Sequence, residues 1–260
     1  MNTQEYSQIL RLHLLDMARE TQRGVDYAIK AYQLGNPEFC ASVREHIYEI
    51  DVLHREITEL VRDLLAMELP GESDLRHMLA AERIAYALRV IHSHAVEIAA
   101  NSALILENDG DLGCAELATM GNLVNSLVRL SVVALFEEDI VHAEMVQRYS
   151  GVGRLFESTF FDWYRTIDHG ARAQAEFERA IAKHLRQVAL QAYEISGALV
   201  FWLENSGSGL MTDVDKQVLA PREVTPGGQS QEEMRTPDGM EAFLHSIDTC
   251  FADTSFWNRL

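Results

Sequence analysis

Proline and cysteine are scarce in this sequence, and each shortage narrows the class of protein. Only five of the 260 residues are proline, and three of them (Pro221, Pro226 and Pro237) follow residue 220. Because proline interrupts helices, the first 200 residues contain almost nothing that would end one. The three cysteines are far apart and match no metal-binding spacing, which favours free thiols in a reducing compartment over a disulfide framework.

Positive charge is also scarce. The chain has 22 Lys and Arg against 40 Asp and Glu, a formal net charge of −18. A surface this acidic repels phosphate backbones, so we expect no nucleic-acid binding and no unassisted docking on anionic lipid. No run approaches the ~18 uncharged apolar residues of a membrane span, and the N-terminus does not resemble a signal peptide. The sequence therefore predicts a cytoplasmic protein that does not insert into a membrane.

Signature motifs of catalysis are missing as well. The sequence has no Gly-rich phosphate loop, no nucleophile elbow and no HExxH motif. Residues 150–153, Ser-Gly-Val-Gly, lack the Lys-Ser of a phosphate loop and lie within a helical pattern. We therefore predict that the chain is not an enzyme, has no catalytic residue and holds no cofactor. It would act by binding other proteins.

Helical periodicity is what the sequence does contain. Hydrophobic residues make up 47% of the chain, and up to about residue 205 they recur at helical spacing. Turn signals containing Gly, Pro, Asn or Asp divide this stretch into six long segments. The expected helices cover residues 3–33, 37–67, 73–106, 112–136, 139–167 and 172–204.

The six segments form two matched sets of three. Leu14 matches Leu117 at an offset of 103 positions, and Leu88 matches Leu185 at an offset of 97. A repeat of this length indicates two copies of one supersecondary unit, and long helices with short loops pack as antiparallel neighbours. We predict an all-α fold of two tandem three-helix bundles related by a pseudo-twofold axis. The predicted units are residues 1–108 and 109–205.

The composition changes after residue 205. Residues 206–237 are rich in Gly, Ser and Pro and poor in apolar side chains, which predicts a flexible linker. Residues 238–260 carry Phe243 and Phe251 within an apolar stripe of helical spacing, which predicts a short amphipathic helix. That helix would either pack back on the bundle or bind another chain, so the two phenylalanines are candidate partner contacts.

Several stretches resemble the PhoU family of phosphate-uptake regulators. The resemblance covers about residues 6–205 and implies a fold of two three-helix bundles. It also implies a negative regulator that couples a phosphate-specific ABC transporter, through its ATPase, to a two-component sensor histidine kinase. The residues that carry it are Leu65 to Arg76 (LAMELPGESDLR), Ile84 to Leu88 (IAYAL), His94 to Ala99 (HAVEIA), Met120 to Val124 (MGNLV), Ala134 to Asp139 (ALFEED) and Ala143.

The resemblance also implies a metal site, from which this chain departs. In the family pattern, the third helix of each repeat carries a Glu and, four residues on, an Asp, which share a helical face and can hold iron or another hard cation. Here those positions are Arg89 and Ser93 in the first repeat, and Arg186 and Leu190 in the second. A guanidinium opposes cation binding nearby, so we predict no metal cluster at these positions.

The two arginines are instead expected to form surface salt bridges or to bind an anion such as phosphate. On the helix that precedes Arg89, Asp51 keeps the family's acidic position, and His92 lies one turn beyond Arg89. We take Asp51, Arg89, His92 and Arg186 as candidate contacts with a partner or an anion.

Three functions remain open from the sequence. The first is a PhoU-like regulator, expected to be a homodimer, that binds a transporter ATPase, a sensor kinase or both. The second is a paralogue that regulates another transporter or process. The third is a metal-dependent, ferritin-like helical-bundle oxidoreductase, because Asp139 and His142 are spaced like the carboxylate–His step of di-iron bundles.

Overall fold

The computed structural model describes residues 3–66, 72–108, 114–149 and 172–203. Within these ranges the chain forms seven α-helices and no strand. The predicted all-α fold is confirmed. The helices are α1 (Thr3–Leu34), α2 (Pro37–Glu45), α3 (Ile47–Ala66), α4 (Glu72–Glu107), α5 (Ala115–Glu137), α6 (Ile140–Tyr149) and α7 (Arg172–Leu203).

The turn between α1 and α2 follows directly from its residue types. Gly35 adopts the left-handed conformation at φ 62°, and its amide donates to the Ala31 carbonyl oxygen at 3.1 Å, which closes the end of α1. The Asn36 side chain accepts the Glu38 amide at 2.8 Å and caps α2. Pro37 occupies the first helical turn, where its missing amide costs nothing.

The expected second helix is in fact two helices. α2 ends at Glu45 and α3 begins at Ile47, with His46 between them. Nδ1 of His46 lies 2.7 Å from the Ser42 carbonyl oxygen, which in a continuous helix would accept the His46 amide. A side-chain contact thus replaces a helical hydrogen bond, which the apolar periodicity of this segment does not reveal.

The other helix limits lie close to the predicted ones. The third and sixth expected helices correspond to α4 and α7, and the fourth corresponds to α5. α6 is the described part of the expected fifth helix. The remainder of that helix, the predicted linker at 206–237 and the predicted C-terminal helix lie outside the described residues.

α5 is the most deeply buried helix and contacts α1, α6 and α7. Within the described residues it is also the one helix long and apolar enough to span a membrane, judged by length and composition. Its most apolar stretch is 67% buried inside the protein. Packing against three neighbouring helices therefore accounts for its apolar composition.

The residues up to Leu203 form one compact unit. α1, α3 and α4 contact one another, and α5, α6 and α7 do the same. Across these two sets, α4 packs along α7 in the most extensive contact of the unit, and α1 packs against α5. In the predicted repeat these are pairs of equivalent helices, the pairing that a pseudo-twofold axis would produce. The assignment of residues 1–108 and 109–205 to two repeats stays a prediction.

Candidate partner-binding site

An open groove of about 590 Å³ runs between α3, α4 and α7. We refer to it as the α3–α4–α7 groove. Its walls combine polar, charged and aromatic side chains and are accessible from solvent. The lining residues are His54 and Thr58 on α3, Glu82, Arg83, Tyr86 and Ala87 on α4, and Gln191 and Glu194 on α7.

The chemistry of this groove suits contact with another protein. Tyr86 is 57% exposed although it is a large aromatic residue. Beside it, Nη2 of Arg83 donates to Oε2 of Glu194 at 3.2 Å, and this half-exposed ion pair bridges α4 and α7. Tyrosine and arginine are enriched at protein interfaces, where they supply aromatic area and directed hydrogen bonds.

Two of the predicted contact residues, Asp51 and Arg89, form an ion pair beside this groove. Nε of Arg89 donates to Oδ1 of Asp51 at 2.7 Å, and both side chains are about half exposed. His54 lines the groove, and the charges of both residues of this pair affect its pKa. Burial lowers the pKa of His54 and the charge of Arg89 lowers it further, while Asp51 and Glu82 act in the opposite direction. Arg89 therefore occupies an exposed ion pair at the edge of the groove.

The residues at the family's metal positions do not fit a metal cluster. Asp51, which keeps the acidic position, already binds the Arg89 guanidinium. Oγ of Ser93 donates to the Arg89 carbonyl oxygen at 3.0 Å, so it serves its own helix. On α7, Arg186 and Leu190 are each partly buried, and neither supplies a carboxylate.

His92 does not lie at the surface as expected for a partner or anion contact. Its residue is 2% exposed, and its ring packs against Gly24 of α1. A Cβ atom on Gly24 would lie 2.7 Å from Nδ1 of His92. Burial, followed by the charge of His46, lowers the pKa of His92 to about 4, so the ring is neutral at pH 7. The inward orientation of this side chain contradicts the expected contact.

His94 forms a contact that the sequence did not reveal. Its Nδ1 lies 3.0 Å from Nδ1 of His184, across the interface between α4 and α7. Burial lowers the pKa of each ring, and the charge of His184 lowers that of His94 further. The two residues are 90 positions apart, so no local spacing could have indicated their contact.

Asp139 and His142, the carboxylate and the histidine three residues apart, stabilise the first turn of α6. Oδ1 of Asp139 accepts the Val141 amide at 2.8 Å, which caps α6. The other oxygen, Oδ2, lies 2.8 Å from Nδ1 of His142. This spacing, which motivated the oxidoreductase alternative, therefore has a local structural role. Phe243 and Phe251 lie outside the described residues.

These features define the class of the protein: an all-helical bundle with an open, charged groove between its helices. The model of the PhoU domain family matches residues 14–102. This match identifies a PhoU domain within residues 14–102 and agrees with the resemblance noted in the sequence.

Two relatives carry the name "Phosphate-specific transport system accessory protein PhoU homolog". The chain is 29% identical to that of Pseudomonas putida over 134 residues, which cover 50% of this chain and 52% of that protein. It is 25% identical to that of Zymomonas mobilis over 195 residues, which cover 74% of this chain and 82% of that protein. The chain thus matches about half the length of the first relative.

Solved PhoU structures share the fold. The crystal structure of PhoU from Pseudomonas aeruginosa superposes with a TM-score of 0.74 at 20% identity, covering 78% of this chain and 99% of that one. The phosphate transport system regulatory protein PhoU from Streptococcus pneumoniae gives a TM-score of 0.70 at 19% identity, covering 78% of this chain and 97% of that one.

Proposed function

We propose that this protein is a non-enzymatic regulator of phosphate uptake and phosphate signalling. It would act in the cytoplasm by binding the ATPase of a phosphate ABC transporter, a sensor histidine kinase, or both. The PhoU domain match and the names of the relatives support the link to phosphate. The observation that carries the binding mechanism is the α3–α4–α7 groove, which exposes Tyr86 beside an ion pair.

The groove is suited to a partner that inserts side chains between helices. Tyr86 offers a large rigid surface at low entropic cost, and Arg83 and Glu194 can exchange their mutual ion pair for pairs with the partner. An exposed ion pair contributes little to folding, about 0–1 kcal/mol, so rearranging it costs little. The acidic field of the chain, −18 in formal charge, would steer basic partner surfaces towards it.

The test compares two tyrosines. Tyr86 lines the groove, whereas Tyr48 lies on α3 outside the set of lining residues and is 76% exposed. We expect Tyr86→Ala to weaken binding of the purified chain to the transporter ATPase or the sensor kinase by at least tenfold, since buried interface tyrosines are frequent hot spots. Tyr48→Ala should bind like the unchanged protein. Titration calorimetry against each purified partner measures both effects.

A cellular experiment tests the link to phosphate. Cells that lack the protein should show altered phosphate uptake and an altered phosphate-starvation response. The unchanged chain and Tyr48→Ala should restore both, while Tyr86→Ala should not. Unchanged phosphate behaviour in the deletion strain would contradict the proposal.

A paralogue that serves another process remains the second candidate. The Arg89–Asp51 ion pair, which stands where the family pattern has metal-binding carboxylates, favours a changed task. In that case deletion would alter the uptake of a different solute.

The predicted homodimer is a separate expectation, and sedimentation of the purified chain at micromolar concentration would test it.

A further inference from the structure

We propose a divalent transition-metal site formed by Glu20 of α1, His46 between α2 and α3, and Glu49 of α3. It is distinct from the family's metal positions at residues 89, 93, 186 and 190. Each of the three residues offers one ligand atom, and all three atoms lie within 4.8 Å of one another. One imidazole with two carboxylates suits Zn²⁺ or Mn²⁺ and leaves coordination positions for water.

The distances suit a metal ion placed between the side chains. Nε2 of His46 lies 3.8 Å from Oε2 of Glu20, too far for a hydrogen bond. Two ligands bonded to one tetrahedral zinc at about 2.1 Å would lie roughly 3.4 Å apart, so a small side-chain adjustment closes the site. Glu49 is exposed, and Glu20 and His46 are partly exposed, so an ion can reach the site from solvent.

The break in the helix prepares His46 for coordination. Its Nδ1 lies 2.7 Å from the Ser42 carbonyl oxygen, which can only accept a hydrogen bond, so Nδ1 carries the proton. When the ring is neutral, its lone pair therefore resides on Nε2, the atom that faces Glu20. Metal-binding histidines commonly donate their other ring N–H to a backbone carbonyl in this way.

A second observation is the buried imidazole of His92 near this cluster. Neither ring nitrogen of His92 makes a hydrogen bond of good geometry among the described residues, although the Val43 backbone favours its charged form. The ring of His92 packs against Gly24, which lies one helical turn from Glu20 on α1. The cluster is therefore bordered by a buried polar ring, a surrounding that suits a polar ligand such as a metal ion.

Two arginines compete with the metal for Glu20. Nη1 of Arg23 lies 3.1 Å from Oε2 of Glu20, and Nε of Arg19 lies 3.6 Å from Oε1. Arg19 has a closer partner in Asp16, at 2.8 Å. Arg23 thus occupies the same oxygen that faces His46. This competition predicts that loss of Arg23 strengthens metal binding, which a purely structural role of the cluster would not produce.

A similar triad on α5 and α6 provides the control. Glu137, Asp139 and His142 also bring their ligand atoms within 4.8 Å of one another. There, however, Nδ1 of His142 already contacts Oδ2 of Asp139 at 2.8 Å, and the same carboxylate caps α6. The pair leaves no gap for an ion, so we expect no binding at this triad.

The experiment uses the full chain, stripped of metal with a chelator and titrated with Zn²⁺ by calorimetry. The expected result is one Zn²⁺ per chain, with Mg²⁺ not competing. His46→Ala and Glu49→Gln should each weaken Zn²⁺ binding by at least about tenfold. Arg23→Gln should strengthen it several-fold, and His142→Ala should leave it unchanged.

Several outcomes would overturn the proposal. The first is that no one-to-one Zn²⁺ complex forms. The second is that neither His46→Ala nor Glu49→Gln weakens Zn²⁺ binding. The third is that His142→Ala weakens Zn²⁺ binding as much as His46→Ala does. Glu49 is exposed, so Glu49→Gln keeps the test valid even if His46→Ala does not fold. Circular dichroism of each variant checks the fold.

Discussion

At the scale of single residues, His92 makes folding sensitive to acid. Its pKa is about 4 in the folded protein and 6.5 ordinarily, so the unfolded chain binds a proton more readily. The stability that His92 contributes is therefore fully present above pH 6.5 and is lost as the pH falls from there towards 4. Between pH 7 and pH 5 this residue alone should remove about 2 kcal/mol from the free energy of unfolding.

Urea unfolding at the two pH values measures the effect. In His92→Leu, the loss of stability from pH 7 to pH 5 should be smaller by about 2 kcal/mol than in the unchanged protein. Ile91→Val, at a fully buried neighbouring position, should lower stability by the same amount at both pH values. An unchanged pH dependence in His92→Leu would show that this ring is not responsible.

Gly24 provides a second prediction at the residue scale. Alanine usually stabilises a helix by about 1 kcal/mol relative to glycine. At Gly24, however, the added Cβ would lie 2.7 Å from Nδ1 of His92, so Gly24→Ala should destabilise the protein by about 1–3 kcal/mol. At Gly197 the nearest atom lies 3.5 Å away, an ordinary contact, so Gly197→Ala should be stabilising. Thermal unfolding of the two variants tests the opposite signs.

At the scale of elements, the turn between α5 and α6 rests on a strained residue. Glu138 adopts a left-handed conformation at φ 52°, which favours glycine. Its side chain also forms an ion pair with Arg11 of α1. Glu138→Gly and Glu138→Ala both remove that pair, but only glycine relieves the backbone. Glu138→Gly should therefore be about 1 kcal/mol more stable than Glu138→Ala in urea unfolding. Equal stabilities would contradict this account.

A buried hydrogen bond joins α1 to α7. Oη of Tyr32 donates to Oε1 of Glu178 at 3.1 Å, and the two residues are 3% and 2% exposed. Burial and the nearby carboxylate raise the pKa of Tyr32, so it remains a donor at all ordinary pH values. Tyr32→Phe should cost about 1–3 kcal/mol because a buried carboxylate loses a donor. Tyr27→Phe, at a partly exposed position on the same helix, should change stability by less than about 0.5 kcal/mol in parallel melts.

The elements also show where sequence patterns are informative. Gly35, Asn36 and Pro37 each act through their own backbone preferences, so the end of α1 and the start of α2 could be read directly from them. The interruption at His46 depends on a side chain that bonds a carbonyl four residues earlier, and the surrounding apolar periodicity continues through it. Periodicity reports which face is buried and does not report which carbonyl a side chain will contact.

At the scale of the whole molecule, the two predicted repeats depend on each other. α4 packs most extensively against α7, and α5 is buried partly by α1. An isolated fragment of residues 1–108 would expose the side of α4 that packs along α7, where His94 meets His184. We expect this fragment to lose cooperative unfolding or to aggregate, because exposing that face removes about 25 cal/mol of stabilisation per Å².

The matched comparison is a chain that ends at Leu203, which keeps the compact unit whole. It should unfold cooperatively with helical content preserved, as followed by circular dichroism in urea. A fragment 1–108 that unfolds as sharply as the longer chain would show that each half is an independent domain.

The sequence by itself determined the all-α class, the approximate limits of the long helices and the resemblance to phosphate regulators. Those properties depend on apolar periodicity, turn residues and ordered short motifs, which are local along the chain. The tertiary structure alone decided that His92 faces the core, that His94 meets His184, that Tyr32 meets Glu178 and that α3, α4 and α7 enclose a groove. These contacts join residues far apart in the chain, and their energies depend on burial and distance, which only the packed helices define.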